Sequence, residues 1–318
     1  MALNSELVAE VKDLSHTYDG KKWVLEEVTF NVKKGEVFGL LGRNGAGKST
    51  LIKILTTLIS GTKGKVSILG MDPVRNGPEI RRRIGVVQQG ESFDFTSVEG
   101  NFDIYGMLWD VPKKERIERK ERFIKLFDLD EVRKKKAWDL SGGQKRKVQV
   151  ARELMHDSDI LFLDEPTVGL DILMRRSVLD FIKGEVRKGM TVVFTTHNLE
   201  EADYLCDRVA VIETGRILAM DTVDNLKQFY GKKRTVEVSV GKNEASAFFK
   251  KLMEGLPVGD IYKPGENGSA LIITESPRQV LQKIIEASKD EGVQVDWLNV
   301  RKNTLEDVFL DTLAEGKK

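Results

Sequence analysis

Gly42-Arg43-Asn44-Gly45-Ala46-Gly47-Lys48-Ser49 decides how the rest of this chain is read. Its spacing, Gly-x-x-x-x-Gly-Lys-Ser, is the phosphate-loop pattern. Glycines let backbone N–H groups close on phosphate oxygens, and the N-terminus of a following helix adds positive potential. The flanks supply the setting this reading needs. Upstream, Glu36-Val37-Phe38-Gly39-Leu40-Leu41 reads as a buried strand. Downstream, Ser49 to Leu58 reads as a helix with Leu51, Ile52, Ile54 and Leu55 on its buried side. Within the loop, Lys48 would reach the β- and γ-phosphates, Ser49 would ligate Mg²⁺, and Thr50 would contact the α-phosphate side. Gly42, Asn44, Gly45, Ala46 and Gly47 complete the candidate nucleotide-binding set. By itself the loop says only that a nucleoside triphosphate binds.

Two further stretches narrow the chemistry. Ile160-Leu161-Phe162-Leu163 followed by Asp164-Glu165 is a buried strand ending in two acids. After a phosphate loop, Asp164 is the candidate holder of Mg²⁺ through its water shell, and Glu165 the candidate base for the attacking water. Alone, such a pair could simply cap the Pro166-Thr167 turn. Leu140-Ser141-Gly142-Gly143-Gln144 precedes a helix whose apolar side is marked by Val148, Ala151, Leu154 and Met155. A small hydroxyl and two exposed amides at a helix start make a second anion site. Alone, Ser141 could equally cap a solvent turn.

The three motifs, in this order, resemble the ATP-binding-cassette (ABC) ATPases. The resemblance covers roughly Leu7 to Phe229. It implies an α/β fold: a phosphate-loop NTPase core with a mainly parallel sheet, an antiparallel β subdomain and a helical insertion. It also implies ATP with Mg²⁺, and a second ABC ATPase subunit. Ser141, Gly142, Gly143 and Gln144 would complete the ATP site of that second copy, so the chain should work in pairs. Gln89 falls where the family has its Q-loop glutamine, which contacts Mg²⁺ and water. Many members have Pro where this chain has Gln88, which leaves the register open by one. Asp171 falls at the D-loop, which crosses the dimer interface. His197 resembles the switch histidine that bonds the γ-phosphate, and Tyr18 the aromatic that stacks on adenine; a strand-edge tyrosine is the plainer reading of Tyr18. His16 and His156 read as structural.

Organisation follows from texture. Leu7 to Val11 and Leu25 to Val32 read as strands separated by Asp19-Gly20. The segment from about 90 to 155 is a charge-dense, mostly helical insertion. The runs ending at Leu163, Phe194 and Ile212 are separated by helical segments, as in a parallel sheet. A boundary near Gly231-Lys232-Lys233 separates an ATP-binding domain, 1–230, from an accessory domain, 231–318. There Val236, Val238 and Val240 alternate as in a half-buried strand, Ala245 to Leu256 reads as a helix, and a small α+β domain results. Leu305, Val308, Phe309 and Leu313 mark one face of a terminal helix. The ending Leu305-Glu306-Asp307-Val308-Phe309-Leu310 resembles daunorubicin-resistance-type exporter ATPases, which energise export of drugs, lipids or polysaccharides. An ordinary amphipathic helix is the plainer alternative.

Composition bounds the rest. Net charge is +1, so no overall field attracts nucleic acid and none is expected as a partner. Charged residues are 32%, above the usual level of roughly 25%. Arg133-Lys134-Lys135-Lys136 reads as a solvated helix end, and Arg81-Arg82-Arg83 as the same or as a face toward anionic lipid. The one cysteine, Cys206, fits a reducing cytosol. Met1 to Glu10 carries no signal-peptide pattern, and no stretch approaches the ~18 consecutive apolar residues of a membrane span. Taken with this, the resemblance implies a location at the cytoplasmic face of the cell membrane, peripheral to a separate integral membrane permease. Three alternatives remain. One is an importer ATPase; one is a soluble ABC protein of DNA repair or translation, disfavoured by the lack of sustained heptads or a second cassette. The third takes the tail as a sensor that gates the ATPase.

Overall fold

The computed structural model describes residues 6–90, 96–229, 234–257, 259–302 and 304–309. The chain divides into two compact units, Met1–Asp221 and Thr222–Lys318. Gly231, Lys232 and Lys233, where the sequence places its boundary, lie outside the described residues, as do Leu310 and Leu313.

The first unit opens with two long strands, β1 (Leu7–Thr17) and β2 (Trp23–Lys33). At their turn Asp19 Oδ1 accepts the amides of Lys21 and Lys22, each at 2.9 Å, while Gly20 takes a positive φ of 72°. Then come β3 (Val37–Leu41), the phosphate loop, α1 (Lys48–Leu55), β4 (Lys63–Ile68), α2 (Gly77–Arg81) and β5 (Ile84–Val87). The helical insertion holds α3 (Val98–Leu108), α4 (Lys113–Leu126) and α5 (Gly142–Glu153). The unit closes with β6 (Ile160–Asp164), α6 (Ile172–Val186), β7 (Thr191–Thr196), α7 (Leu199–Leu205), β8 (Arg208–Glu213) and β9 (Arg216–Thr222).

These strands form two sheets. The larger has the order β5-β6-β7-β3-β8-β9, with parallel pairing from β5 through β8. Every residue of β3, β6 and β7 is buried, which is why they read as continuous apolar runs rather than alternating ones. The smaller sheet, β2-β1-β4, is antiparallel. Phe30 of β2 stacks on Phe38 of β3 with ring centroids 5.1 Å apart, and one core runs between the sheets. β4 and β9 are edge strands, and the sequence gives little sign of either. β4 exposes Lys63, Gly64 and Lys65, and β9 is only half-buried, so neither shows a clean apolar period.

The insertion owes its charge density to internal pairing. Arg133 donates to Glu99 at 3.0 Å and to Glu121 at 2.6 Å, around a small core of Phe102, Phe123, Ile124 and Phe127. The run at 133–136 is thus a paired arginine followed by three exposed lysines. Likewise Arg81 donates to Thr57 Oγ1 at 2.7 Å and Arg83 to Asp159 at 2.7 Å. All three residues of that basic triplet remain exposed, and only Arg81 and Arg83 have these partners.

The second unit contains α8 (Val223–Phe229), β10 (Arg234–Val240), α9 (Ala245–Glu254), β11 (Ile261–Pro264), β12 (Ser269–Thr274), α10 (Pro277–Glu291) and β13 (Val295–Lys302). Its antiparallel sheet has the order β11-β12-β10-β13. Val236, Val238 and Val240 pack against Phe248, Phe249 and Leu252 of α9 and Val280 and Ile284 of α10. Residues 305–309 are helical, with Leu305 and Val308 buried and Asp307 bonded to Arg301 at 2.6 Å.

Each unit has a core of its own, the condition for independent folding. A chain ending at Gly231 should therefore fold and bind ATP within about threefold of the full chain's affinity. Circular dichroism and nucleotide titration check this; a folded core without nucleotide binding would contradict it.

Candidate functional site

Register fixes where the motifs meet. Leu41 of β3 lies beside Thr196 of β7, and Thr195 lies beside Asp164 of β6. The carboxyl ends of the three strands are therefore level, and the loops leaving them share one edge, where ligands bind in open parallel sheets. The phosphate loop leaves β3 with Gly45 at φ 83° and Gly47 at φ 105°. A Cβ on Gly47 would lie 2.7 Å from Leu25 Cδ2 and 3.0 Å from the Val24 oxygen, so glycine is required there. α1 begins immediately afterwards. Lys48 is buried; its Nζ donates to the oxygens of Gly42 at 2.7 Å and Arg43 at 3.1 Å. It also lies 3.4 Å from Glu165 Oε1.

The same carboxylate oxygen is 3.3 Å from Nδ1 of His197, whose side chain is 51% exposed. Glu165 has a left-handed backbone, φ 49°, which a residue with a side chain adopts at a cost of about 1–3 kcal/mol. Its amide donates to the Thr195 oxygen at 3.2 Å and Thr195 Oγ1 at 3.0 Å. Thr195 Oγ1 in turn donates to Asp164 Oδ1 at 2.6 Å. Gln89, Gly142, Glu165 and Gly169 line one cavity of about 200 Å³, so the Q-loop position and the start of α5 face the acid. Gln88 lines a different groove.

The remaining candidates lie farther out. Tyr18 is 60% exposed, packs edge-on against His16, and its hydroxyl is 3.2 Å from Thr50 Oγ1, beside the first turn of α1. Ser141 caps α5: its Oγ accepts the Gln144 amide at 3.3 Å, and Gln144 Oε1 accepts the Ser141 amide at 3.1 Å. Asp171 caps α6, accepting the Met174 amide at 2.9 Å. Thus Lys48, Asp164, Glu165 and His197 come together with Gln89 and Gly142 nearby. The hydrogen bonds of Ser141, Gln144 and Asp171 are local caps.

Four residues at this edge were not evident from sequence. Thr195 links Asp164 to Glu165. Glu201, buried on α7, accepts from Thr167 Oγ1 and Thr196 Oγ1, both at 2.8 Å, and lies 3.3 Å from Arg175. Arg146 and Gln149 are buried on α5 and bind main-chain oxygens at the ends of β5 and β6. Their spacing of three along a helix, beside the apolar stripe of Val148 and Ala151, is the one signal that could have found them.

Residues 25–168 match the family model described as ABC transporter. The daunorubicin resistance ATP-binding protein DrrA3 of Streptomyces coeruleorubidus is 32% identical, over 94% of this chain and 94% of that one. This chain belongs to the ABC transporter ATP-binding proteins. Among solved structures, an ATP-binding subunit of an ABC transporter is similar with a TM-score of 0.66 and 31% identity, over 70% of this chain and 93% of that one. A dimeric post-hydrolysis state of the ATP-binding cassette MJ0796, bound to ADP and Pi, matches with a TM-score of 0.63 and 27% identity. It covers 67% of this chain and 98% of that one. As a member of this family the chain binds and hydrolyses ATP.

The groove beside Gln88 is lined by Leu58, Arg81, Tyr105, Trp109 and Glu153. Burial pushes the Glu153 carboxyl from 4.5 up to about 7, against the opposing pull of Arg152, the Val86 amide and Tyr105. A raised acid favours the folded state below its unfolded value, and that contribution is lost as pH rises through about 7. Thermal unfolding followed from pH 5 to 8 should show this loss, and Glu153→Gln should flatten it. Parallel curves for the two proteins would mean that Glu153 titrates normally.

Proposed function

We propose that this chain is the ATPase subunit of an ABC exporter, working as a pair beneath a separate membrane permease. The observation that carries the reading is the Glu165 carboxylate, which shares one oxygen with Lys48 and His197 at the level ends of β3, β6 and β7. Nucleotide phosphates would draw Lys48 from the Gly42 and Arg43 carbonyls and from Glu165. The freed carboxylate would accept a proton from the water attacking the γ-phosphorus while the bond to ADP breaks. His197 would hydrogen-bond the γ-phosphate, and Tyr18 would stack on adenine.

Mg²⁺ fits the donor set. Ser49 and Asp164 offer oxygen ligands, with Gln89 close by, and among the described residues no cluster of three or more acids, histidines or cysteines could cage a metal. A small octahedral cation held by few side chains completes its shell with phosphate oxygens and water. There it would neutralise charge on the phosphates.

A second copy suits the surface around Asp171. Ile172 and Leu173 are each 81% exposed, and Val168 is also exposed, an apolar patch that a partner would cover. Ser141, Gly142 and Gly143 would then close over the ATP held by the partner; a cassette that this chain resembles is dimeric. Among the described residues no helix is long and apolar enough to cross a membrane. Exposed Leu58, Met107 and Leu108 offer apolar surface for a permease and would keep the chain at the cytoplasmic face of the membrane. Export, as opposed to import, is favoured by the resistance function in the name of the relative.

Glu165→Gln should lower turnover by roughly 10²- to 10⁴-fold while ATP binding persists, and ATP should trap a dimer on size-exclusion chromatography. Turnover equal to wild type would remove Glu165 from the role of base. Lys48→Ala should weaken ATP binding itself by roughly tenfold or more, since a charge-assisted bond is lost. Unchanged affinity by titration would defeat the phosphate-loop assignment. Ser141→Arg should leave nucleotide binding to the isolated monomer intact yet block the ATP-dependent dimer; normal dimerisation and hydrolysis would argue against a shared site.

A further inference from the structure

Arg146 is a buried guanidinium whose five N–H groups are all engaged. Nε donates to the Pro166 oxygen at 3.1 Å. Nη1 donates to the Gln88 oxygen at 2.7 Å and Gln149 Oε1 at 2.8 Å. Nη2 donates to the oxygens of Asp164 at 2.8 Å and Glu165 at 2.6 Å. Every acceptor is a neutral oxygen. A buried cation without a directly bonded anion is costly, and burial does lower its pKa, countered by the fields of Asp164 and Glu165. Gluing a helix to a sheet does not require this, because apolar side chains do it more cheaply.

The identity of the acceptors gives the reason. Three belong to the consecutive residues Asp164, Glu165 and Pro166, which include the candidate Mg²⁺ holder and the candidate base. A fourth belongs to Gln88, next to Gln89. Gln149 reinforces that last grip, donating to the oxygens of Gln88 at 3.0 Å and Gly90 at 2.7 Å. Glu165 has its left-handed backbone held from both sides, by Thr195 at its amide and by Arg146 at its carbonyl. Arg146 is therefore one of the two contacts that fix the backbone carrying this carboxylate. The opposite end of this linkage is the start of α5. A Cβ on Gly143 would lie 3.1 Å from the Gly169 oxygen, so the helix start abuts the loop that follows Glu165.

We infer that Arg146 is a positioning residue: it locks the Glu165 backbone and the Gln89 loop of one copy to the helix whose first residues close over its partner's ATP. Contact at the partner's nucleotide is thereby relayed into the chain's own hydrolytic geometry. This rests on the paired reading given above.

Arg146→Lys tests it in the full chain. An ammonium keeps the charge but cannot span the ends of β5 and β6 with a planar fork. The expected result is a kcat lower by roughly 10- to 100-fold with KM for ATP changed less than about threefold, the split that marks loss of an interaction made in the transition state. Placed in the Glu165→Gln background, Arg146→Lys should still permit the ATP-trapped dimer, because the start of α5 is intact. Unchanged kcat would overturn the proposal. So would joint loss of kcat and of the trapped dimer, which would mark Arg146 as simple support for α5. Gln149→Met is the second variant; it releases the Gln88 and Gly90 oxygens and one acceptor of Arg146 Nη1, while the other four Arg146 bonds remain. It should lower kcat several-fold with the dimer kept, and unchanged turnover would again count against the relay. Failure of Glu165→Gln alone to trap a dimer would instead defeat the paired reading, while the split between kcat and KM would still report on Arg146 and Glu165.

Discussion

Everything at the functional edge is arranged around one buried ion pair, Lys48 with Glu165 at 3.4 Å. Both groups have lost nearly all contact with water. Desolvating two charges costs as much as their attraction returns, so such a pair is a poor way to stabilise a fold. Its value lies in what it holds ready. The lysine sits at the start of a helix, beneath glycines that no side chain could replace, and the carboxylate sits on a backbone held in a conformation it would not choose. Any anion that engages the lysine changes the electrostatic state of the acid next to it. In the proposed mechanism, binding and the activation of water are linked through that one contact.

The sheet makes this possible. Parallel pairing of β6, β7 and β3 brings three strand ends level, so segments distant in sequence deliver a lysine, two acids and a histidine to one edge. Side chains then set the finer geometry. Thr195 bridges Asp164 to Glu165, Glu201 gathers Thr167 and Thr196, and Arg146 ties both strand ends to α5. Positions supported from two sides move little, and catalysis by oriented groups needs that.

The sequence carried the scaffold well where burial is uniform. The apolar runs of β3, β6 and β7 are legible because both faces of these strands are buried, and the phosphate loop is legible because its glycines answer to local geometry. β4 and β9 were hidden because edge strands need no apolar period. The supporting residues were hidden for another reason. Arg146 and Gln149 look like ordinary polar positions on a helix, and only the fold shows that they face the main chain of residues far away in sequence. Arg81 and Arg83 are exposed, as their basic run suggests, but each also has a partner distant in sequence that the run alone does not reveal.

The central claim is that a working ATP site is assembled from two copies, and a cross-link tests it most directly. Asn44 and Ser141 are both exposed, one in the phosphate loop and one at the start of α5. The native Cys206 is buried and its thiol pKa is raised by that burial, so it should not compete. Chains carrying Asn44→Cys are mixed with chains carrying Ser141→Cys, both in the Glu165→Gln background, and oxidised with and without ATP. The account predicts a disulfide between the two kinds of chain that forms only when ATP is present. No cross-link under ATP, or one that forms equally without nucleotide, would contradict it.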